Sequence, residues 1–96
     1  MEISPDDLKK KIILAPDYLL ERIDNEYTVY HPTLTVSVYL NETGGLIWEL
    51  CNGQRSTADI TALLTEIYPE SREHIVADVL NIIISLKENN IVRLQD

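Results

Sequence analysis

Residues that could carry out catalysis are few in this sequence. His31 and His74 are the only histidines, and Cys51 is the only cysteine. Neither histidine is spaced with the cysteine or with a carboxylate as in a metal site or a catalytic triad. His31 lies beside a proline turn and His74 near a predicted helix start, so we expect both at the surface. The sequence therefore predicts a protein that is not an enzyme and uses neither a metal nor another cofactor.

Three other features that could suggest chemistry have simpler explanations. Cys51 falls on the apolar side of a predicted helix, and a nucleophilic cysteine would need an exposed, electropositive setting. Gly44 and Gly45 lack the flanking glycines and the lysine of a phosphate-binding loop. An acidic cluster could bind a metal ion, but a solvated face is the favoured interpretation. That cluster consists of Glu66, Glu70, Glu73 and Asp78.

Length and charge restrict the classes of function. The 96 residues suffice for one domain with a modest core, which we place at residues 18–96 after an N-terminal lead-in, residues 1–17. A net charge of −8 disfavours binding to nucleic acids and to anionic membranes, and it favours encounter with a basic peptide. A single cysteine, no signal peptide and no apolar run long enough to cross a bilayer predict a cytoplasmic protein.

Alternating hydrophobicity predicts three short strands in the first half of the chain. Asp24 and Asn25 separate the first two, because both residues tolerate the positive φ of a two-residue hairpin turn. Pro32 separates the second strand from the third, so the three should form an antiparallel meander. A short helix or turn near residues 4–11 precedes them. The predicted strands are residues 18–23, 26–31 and 34–40.

The hydrophobic period then changes to about 3.6 residues, which predicts three helices. Gly44 and Gly45 each weaken the first helix by about 1 kcal/mol relative to Ala, so their presence indicates close backbone packing. The third helix carries two apolar stripes, which make a wider arc than one core-facing seam needs. Residues 91–94 are either a final strand or an extended tail. The predicted helices run from about 41 to 51, 57 to 68 and 71 to 88.

One ordered set of residues resembles the PqqD family. Residues 40–53, LNETGGLIWELCNG, resemble that family's L-N-x-T-[GA]-x-x-I-x-x-L-C-[DN]-G core. Asn52 stands where many members have Asp, a departure that affects a helix cap. The resemblance extends over residues 18–94. Its downstream parts are Ser56 to Ile60, Ala77 to Val79, Leu86, and Ile91 with Val92.

The resemblance implies an α+β fold that is winged-helix-like, with a three-stranded antiparallel sheet followed by three helices. Members of the family bind the unstructured leader of a ribosomally made precursor peptide as an added strand, between the third strand and the third helix. An unpaired strand edge is a suitable template for such binding. The peptide-binding residues expected here are Thr35, Val36, Ser37, Val38, Tyr39 and Leu40 on the strand and Val76, Leu80, Ile83, Ile84 and Lys87 on the helix.

The same resemblance implies a second partner, a modifying enzyme to which the leader is presented. That enzyme could be a radical SAM protein, or a leader peptidase and cyclase pair as in lasso-peptide pathways. The sequence does not choose between biosynthesis of the quinone cofactor PQQ and that of a peptide natural product. Because the leader loses entropy as it becomes ordered, we expect a modest binding free energy of about −8 to −10 kcal/mol.

Two other functions stay open at this stage. A winged-helix DNA-binding protein would share the topology, but the third helix has two basic residues, Arg72 and Lys87, against three acidic ones. A structural or dimerisation module is the other alternative, since an exposed strand edge permits strand exchange between two copies. Such a homodimer is compatible with peptide binding.

Overall fold

The structure, a computed structural model, describes residues 4–96, so the first three residues of the lead-in lie outside the described residues. Its elements confirm the predicted α+β class, in which a three-stranded antiparallel sheet is followed by three helices. Short 3-10 helices span Pro5–Lys9 and Pro69–Ser71. The strands and α-helices are β1 (Lys11–Leu14), β2 (Leu19–Ile23), β3 (Glu26–Tyr30), β4 (Ser37–Leu40), α1 (Glu42–Leu50), α2 (Thr57–Ile67), α3 (Arg72–Glu88) and β5 (Val92–Gln95).

The larger sheet has the order β2-β3-β4, with both neighbouring pairs antiparallel. Its first turn is at Asp24, whose φ of 56° is the left-handed geometry that a two-residue hairpin needs. Side chains alternate between the two faces, so Val29, Val38 and Leu40 are buried against the helices. Tyr39 lies between the last two in sequence and points to the outer face, where it is exposed.

The last strand of this sheet begins at Ser37, not at residue 34 as the sequence suggested. The reason is a turn that His31 organises after β3. Its ring Nδ1 accepts hydrogen bonds from the backbone N–H groups of Thr33 and Leu34, both at 3.1 Å. Pro32 contributes a fixed φ to the turn and has no backbone N–H group to donate. Thr35 therefore lies in a bend outside the strand.

A second, two-stranded sheet joins the two ends of the described chain. Here β1 pairs antiparallel with β5, and Ile12 lies opposite Leu94. Ile12 is fully buried, and its N–H donates to the carbonyl of Arg55 at 2.9 Å. The sequence pattern had indicated no strand at β1 and had left residues 91–94 open between strand and tail. Part of the lead-in therefore shares one core with the helices.

The helix ends follow the capping residues in the sequence. Asn41 caps α1 by accepting the Gly44 N–H through its side chain at 2.8 Å. At the start of α2, Ser56 and Asp59 form a reciprocal capping box. The C-terminus of α3 is closed by Asn90, which has a φ of 60°. Among residues 4–96, none of the helices has the length and apolar character needed to cross a bilayer.

The two glycines of α1 allow it to pack directly on the sheet. A Cβ placed on Gly45 would lie 2.6 Å from a ring carbon of Tyr27. A Cβ on Gly44 would lie 2.8 Å from the Cβ of Leu40 and 3.3 Å from the Cδ1 of Ile82. Real Cβ atoms essentially never come within 3.0 Å of another atom, so a side chain at either position would force its neighbours to shift. The close packing predicted from the sequence is present.

Replacing Gly45 with Ala should therefore lower the free energy of unfolding by up to about 2 kcal/mol. Overpacking a core costs about 1–3 kcal/mol, and the better helix propensity of Ala offsets about 1 kcal/mol of this. Urea denaturation of the two proteins measures the difference. In a Tyr27→Leu background the penalty should shrink, because the ring that collides with the new methyl group is absent. An equal penalty in both backgrounds would contradict the steric explanation.

Candidate functional site

The described residues hold no cluster suited to binding a metal ion. Within residues 4–96, no group of three or more His, Cys, Asp or Glu side chains could hold a metal ion. His74 is exposed, as expected. His31 is half-buried, because its ring packs edge-on against Tyr18 with centroids 5.2 Å apart. It serves as a hydrogen-bond acceptor within a turn.

Cys51 is the only thiol, and its environment makes it unreactive. It is 1% exposed, and its Sγ donates a hydrogen bond to the carbonyl of Ile47 at 3.2 Å. Burial raises the pKa of the Cys51 thiol to about 12, because the charged thiolate is poorly solvated there. The thiol is therefore protonated at neutral pH, and the buried thiol predicted from the sequence is found.

The folded protein should consequently resist alkylation by iodoacetamide between pH 7 and 9. Since the folded-state pKa of Cys51 lies well above this range, the thiolate fraction stays very small until the pH approaches about 12. In denaturant the thiol should regain its ordinary pKa of about 8.5 and react readily at pH 8.5. Mass spectrometry of protein treated with and without urea measures both rates. Rapid labelling of the folded protein at pH 8 would contradict the burial of this side chain.

The outer edge of β4 is free to accept another strand. Within the described part of the chain, β4 pairs with β3 alone. The N–H of His31 donates to the carbonyl of Val36 at 3.3 Å, so Val36 belongs to the residues that bond inward to β3. Bonded and non-bonded pairs alternate in an antiparallel ladder, so Val38 also bonds inward. Ser37 and Tyr39 therefore direct their backbone N–H and C=O groups outward.

One flank of α3 lies close to the end of this edge. The Cδ1 of Ile82 and the Cδ2 of Leu40 both lie 3.3 Å from the position that a Cβ on Gly44 would occupy. Ile82 and Asp78 are one helical turn apart on this flank, and Ser85 continues it. Ile82 and Asp78 are half-buried. A strand added to β4 would thus direct its inward side chains toward this flank.

The strand residues expected to bind a peptide divide into two sets. Thr35, Ser37 and Tyr39 are exposed, and the last two carry the outward backbone groups. Val38 and Leu40 are buried, so their side chains belong to the core. The half-buried Val36 bonds back to His31 and lies outside the strand. Among residues 35–40, the groups that form the free edge are backbone atoms more than side chains.

The helix residues expected to bind a peptide are not brought to the edge of β4. Ile83 is fully buried and is a core residue, because it lies on the stripe of α3 that packs inward. Val76 and Leu80 lie on the opposite flank and line a cavity shared with α2. Ile84 and Lys87, at helical spacing from Leu80, continue that flank.

Sequence reasoning did not single out Ile82 and Asp78, which share the flank of α3 whose Ile82 lies near Leu40. Periodicity had placed Ile82 in the core stripe, and Asp78 in the acidic cluster. Their spacing of four was the available signal, but it does not reveal which neighbour a flank faces. Contact with a peptide stays a prediction for all of these residues.

An acidic cavity of about 680 Å³ lies next to this site, between α1, the end of α2 and the start of α3. Its carboxylates are Glu42, Glu49 and Asp78, and Tyr27 and Tyr68 contribute aromatic rings. Of the acidic cluster noted in the sequence, Asp78 lines this cavity, whereas the other members are exposed. A basic side chain is the favoured neighbour for such a surface.

The turn after β3 sets where the free edge begins. His31 accepts two backbone hydrogen bonds there, and its own N–H bonds to Val36, so one residue fixes both ends of the turn. A loosened turn would leave the outward groups of Ser37 less well positioned. His31 therefore acts as a positioning residue for the edge of β4.

Substituting His31 with Phe should separate these two contributions of the ring. Phe retains the aromatic contact with Tyr18 but cannot accept from Thr33 and Leu34, so it should cost about 1–2 kcal/mol of unfolding free energy. Asn should cost less, because its side-chain oxygen can accept from the N–H two residues ahead. Thermal unfolding measures stability, and amide exchange at residues 33 and 34 reports the turn. Unchanged exchange in the Phe variant would contradict this role.

Comparisons with known proteins agree with this architecture. The model of a family described as coenzyme PQQ synthesis protein D (PqqD) matches residues 17–92. A solved structure of TbiB1 in complex with the TbiA(beta) leader peptide is similar in fold, with a TM-score of 0.66. The two chains are 17% identical, and the match covers 84% of this chain and 94% of that one. No curated protein shows a match to this chain.

Proposed function

The chain belongs to the PqqD family, and from that premise we propose that it is a non-catalytic binding protein for the leader of a ribosomally made precursor peptide. The leader would add to the outer edge of β4 as a further antiparallel or parallel strand. The protein would then present the bound precursor to a modifying enzyme. Backbone hydrogen bonds would supply affinity, and the side chains beside the edge would supply specificity.

The observation that carries this proposal is the pair of outward-facing backbone sites on β4. Ser37 and Tyr39 each offer one donor and one acceptor at an edge without a partner strand among the described residues. Unpaired edges invite strand addition. The similar TbiB1 structure was solved with a leader peptide, which supports the same class of ligand here.

The surroundings of the edge indicate what sequence it would favour. A strand residue facing α3 would meet the apolar side chain of Ile82, which favours an aliphatic or aromatic residue in the leader. Beyond Leu40, the chain enters α1 at Glu42, which lines the acidic cavity. A leader continuing past Leu40 would therefore gain from a Lys or Arg side chain. The net charge of −8 would speed the encounter with such a peptide.

The enzyme partner is proposed by class only. A radical SAM enzyme, or a leader peptidase acting with a cyclase, would take the presented precursor and modify or cleave it.

Proline at position 39 should weaken leader binding by about tenfold. It removes one outward N–H, and a single hydrogen bond of about 1–1.5 kcal/mol corresponds to roughly that factor. Because Tyr39 does not donate to β3, the internal ladder should persist, as edge positions tolerate proline. Calorimetric titration with a synthetic leader, taken from any short precursor peptide encoded near this gene, measures the affinity of each variant.

Two control variants isolate the edge itself. Tyr39→Ala removes the side chain but keeps the N–H, so it should bind the leader much more tightly than Tyr39→Pro. Arg22→Pro makes the equivalent change on the outer edge of β2, where Arg22 lies opposite Tyr27 and its N–H faces outward. It should leave affinity unchanged. If Arg22→Pro weakened binding and Tyr39→Pro did not, the leader would occupy β2 and the proposed edge would be wrong.

A further inference from the structure

The surplus apolar arc of α3 forms a second groove, on the flank away from β4. This α2–α3 groove has a volume of about 360 Å³ and includes Val76, Leu80 and the small residues Ala58 and Ala62. Val76 is 40% exposed, which is high for an aliphatic residue in a helix that packs on a core. A leader strand added to β4 as proposed would face the opposite flank, so the apolar arc needs another explanation.

The α2–α3 groove also carries a cation that has no partner among residues 4–96. Arg72 lines it, and Arg72 forms no hydrogen bond or ion pair with the residues that the structure describes. It is the first residue of α3, where the helix dipole adds positive potential. In a chain of net charge −8, this end of the groove is a local site for a carboxylate.

A buried hydroxyl in the same groove lacks a hydrogen-bond partner. Thr57 lines the groove and is 1% exposed, and its Oγ1 is the buried side-chain polar atom without a partner among residues 4–96. Buried polar groups are normally paired, so an unpaired one indicates a missing neighbour. The neighbouring Thr61 does not fill this role, since its hydroxyl donates to the Thr57 carbonyl at 2.9 Å.

We propose that the α2–α3 groove docks a helix of the modifying enzyme, with apolar residues along Val76 and Leu80 and a carboxylate facing Arg72. Small side chains recurring at helical spacing on α2, from Ala58 through Ala62 to Thr65, allow another helix to approach closely. A second copy of this chain is the less suitable occupant, because two chains of charge −8 repel each other.

This inference rests on the proposed function, since it supplies the surface through which a leader-bearing protein would reach its enzyme. The two surfaces lie on opposite flanks of α3, so leader and enzyme would bind at the same time. Binding of the enzyme should therefore be additive with binding of the leader, and separate substitutions should remove each.

The test measures the affinity of a purified radical SAM enzyme or leader peptidase, taken from any such gene found near this one, for variants of the immobilised full-length chain. Val76→Lys and Arg72→Glu should each weaken enzyme binding by at least about tenfold, as at the centre of an interface. Arg72→Lys keeps the charge and should stay within about threefold of the unsubstituted protein. Ile67→Lys is the matched control, because Ile67 is 55% exposed on α2 but lies outside the groove. It should bind normally.

Leader affinity, measured in parallel, separates this inference from the proposed function. Arg72→Glu, Arg72→Lys and Ile67→Lys should bind the leader as the unsubstituted protein does, and Tyr39→Pro should bind the enzyme normally. Normal enzyme binding by both Val76→Lys and Arg72→Glu would overturn the groove assignment. So would the absence of enzyme binding to the unsubstituted protein at about 100 μM. Dissociation of a dimer by Val76→Lys, seen in sedimentation, would assign the groove to a second copy instead.

Discussion

The close approach of α1 to the three-stranded sheet is the constraint on which the rest of the structure depends. Tyr27 of β3 lies over Gly45. The guanidinium of Arg22, on the neighbouring strand β2, lies 5.7 Å from the centre of the Tyr27 ring. At Gly44 the sheet and α3 meet α1 at one point. A side chain at either glycine would push α1 outward and would separate α3 from β4. The distance between α3 and β4 at the candidate site therefore depends on Gly44 and Gly45 having no side chain.

An open strand edge is a liability, and several features limit it here. β4 has four residues, which offers few outward hydrogen-bonding groups to a chance partner. The His31 turn ends the ladder abruptly on one side, and the start of α1 ends it on the other. The acidic charge of the chain further disfavours self-association. The edge is thus long enough for a matched peptide that gains side-chain contacts, but short for unselective pairing.

Local sequence signals predicted much of the fold because each acts over a few residues. The hairpin at Asp24, the caps at Asn41 and Ser56 and the paired glycines all concern neighbouring atoms, and the structure contains each of them. The pairing of β1 with β5 was not predictable, because these strands lie about eighty residues apart and each is only four residues long. The late start of β4 depends on a side-chain acceptor, His31, that periodicity does not register.

The candidate site was harder to predict than the fold for a geometric reason. Helical spacing groups Val76 with Leu80 and Asp78 with Ile82, but it leaves open which flank meets β4. That depends on how α3 is rotated about its axis, which is fixed by contacts with distant elements, such as Ile82 beside Gly44. The width of the apolar arc was itself correctly noted. In the structure, this arc is not one continuous surface, because a buried stripe divides it into two separate flanks.

This division of α3 has a thermodynamic consequence for a binding protein of this size. The buried stripe through Ile75, Val79, Ile83 and Leu86 holds the helix rigidly between its two flanks. Ligands on the two flanks would share no contact residue, so their binding free energies should add without large coupling. Under the proposed function, such independence would let the chain release the peptide to the enzyme without releasing the enzyme.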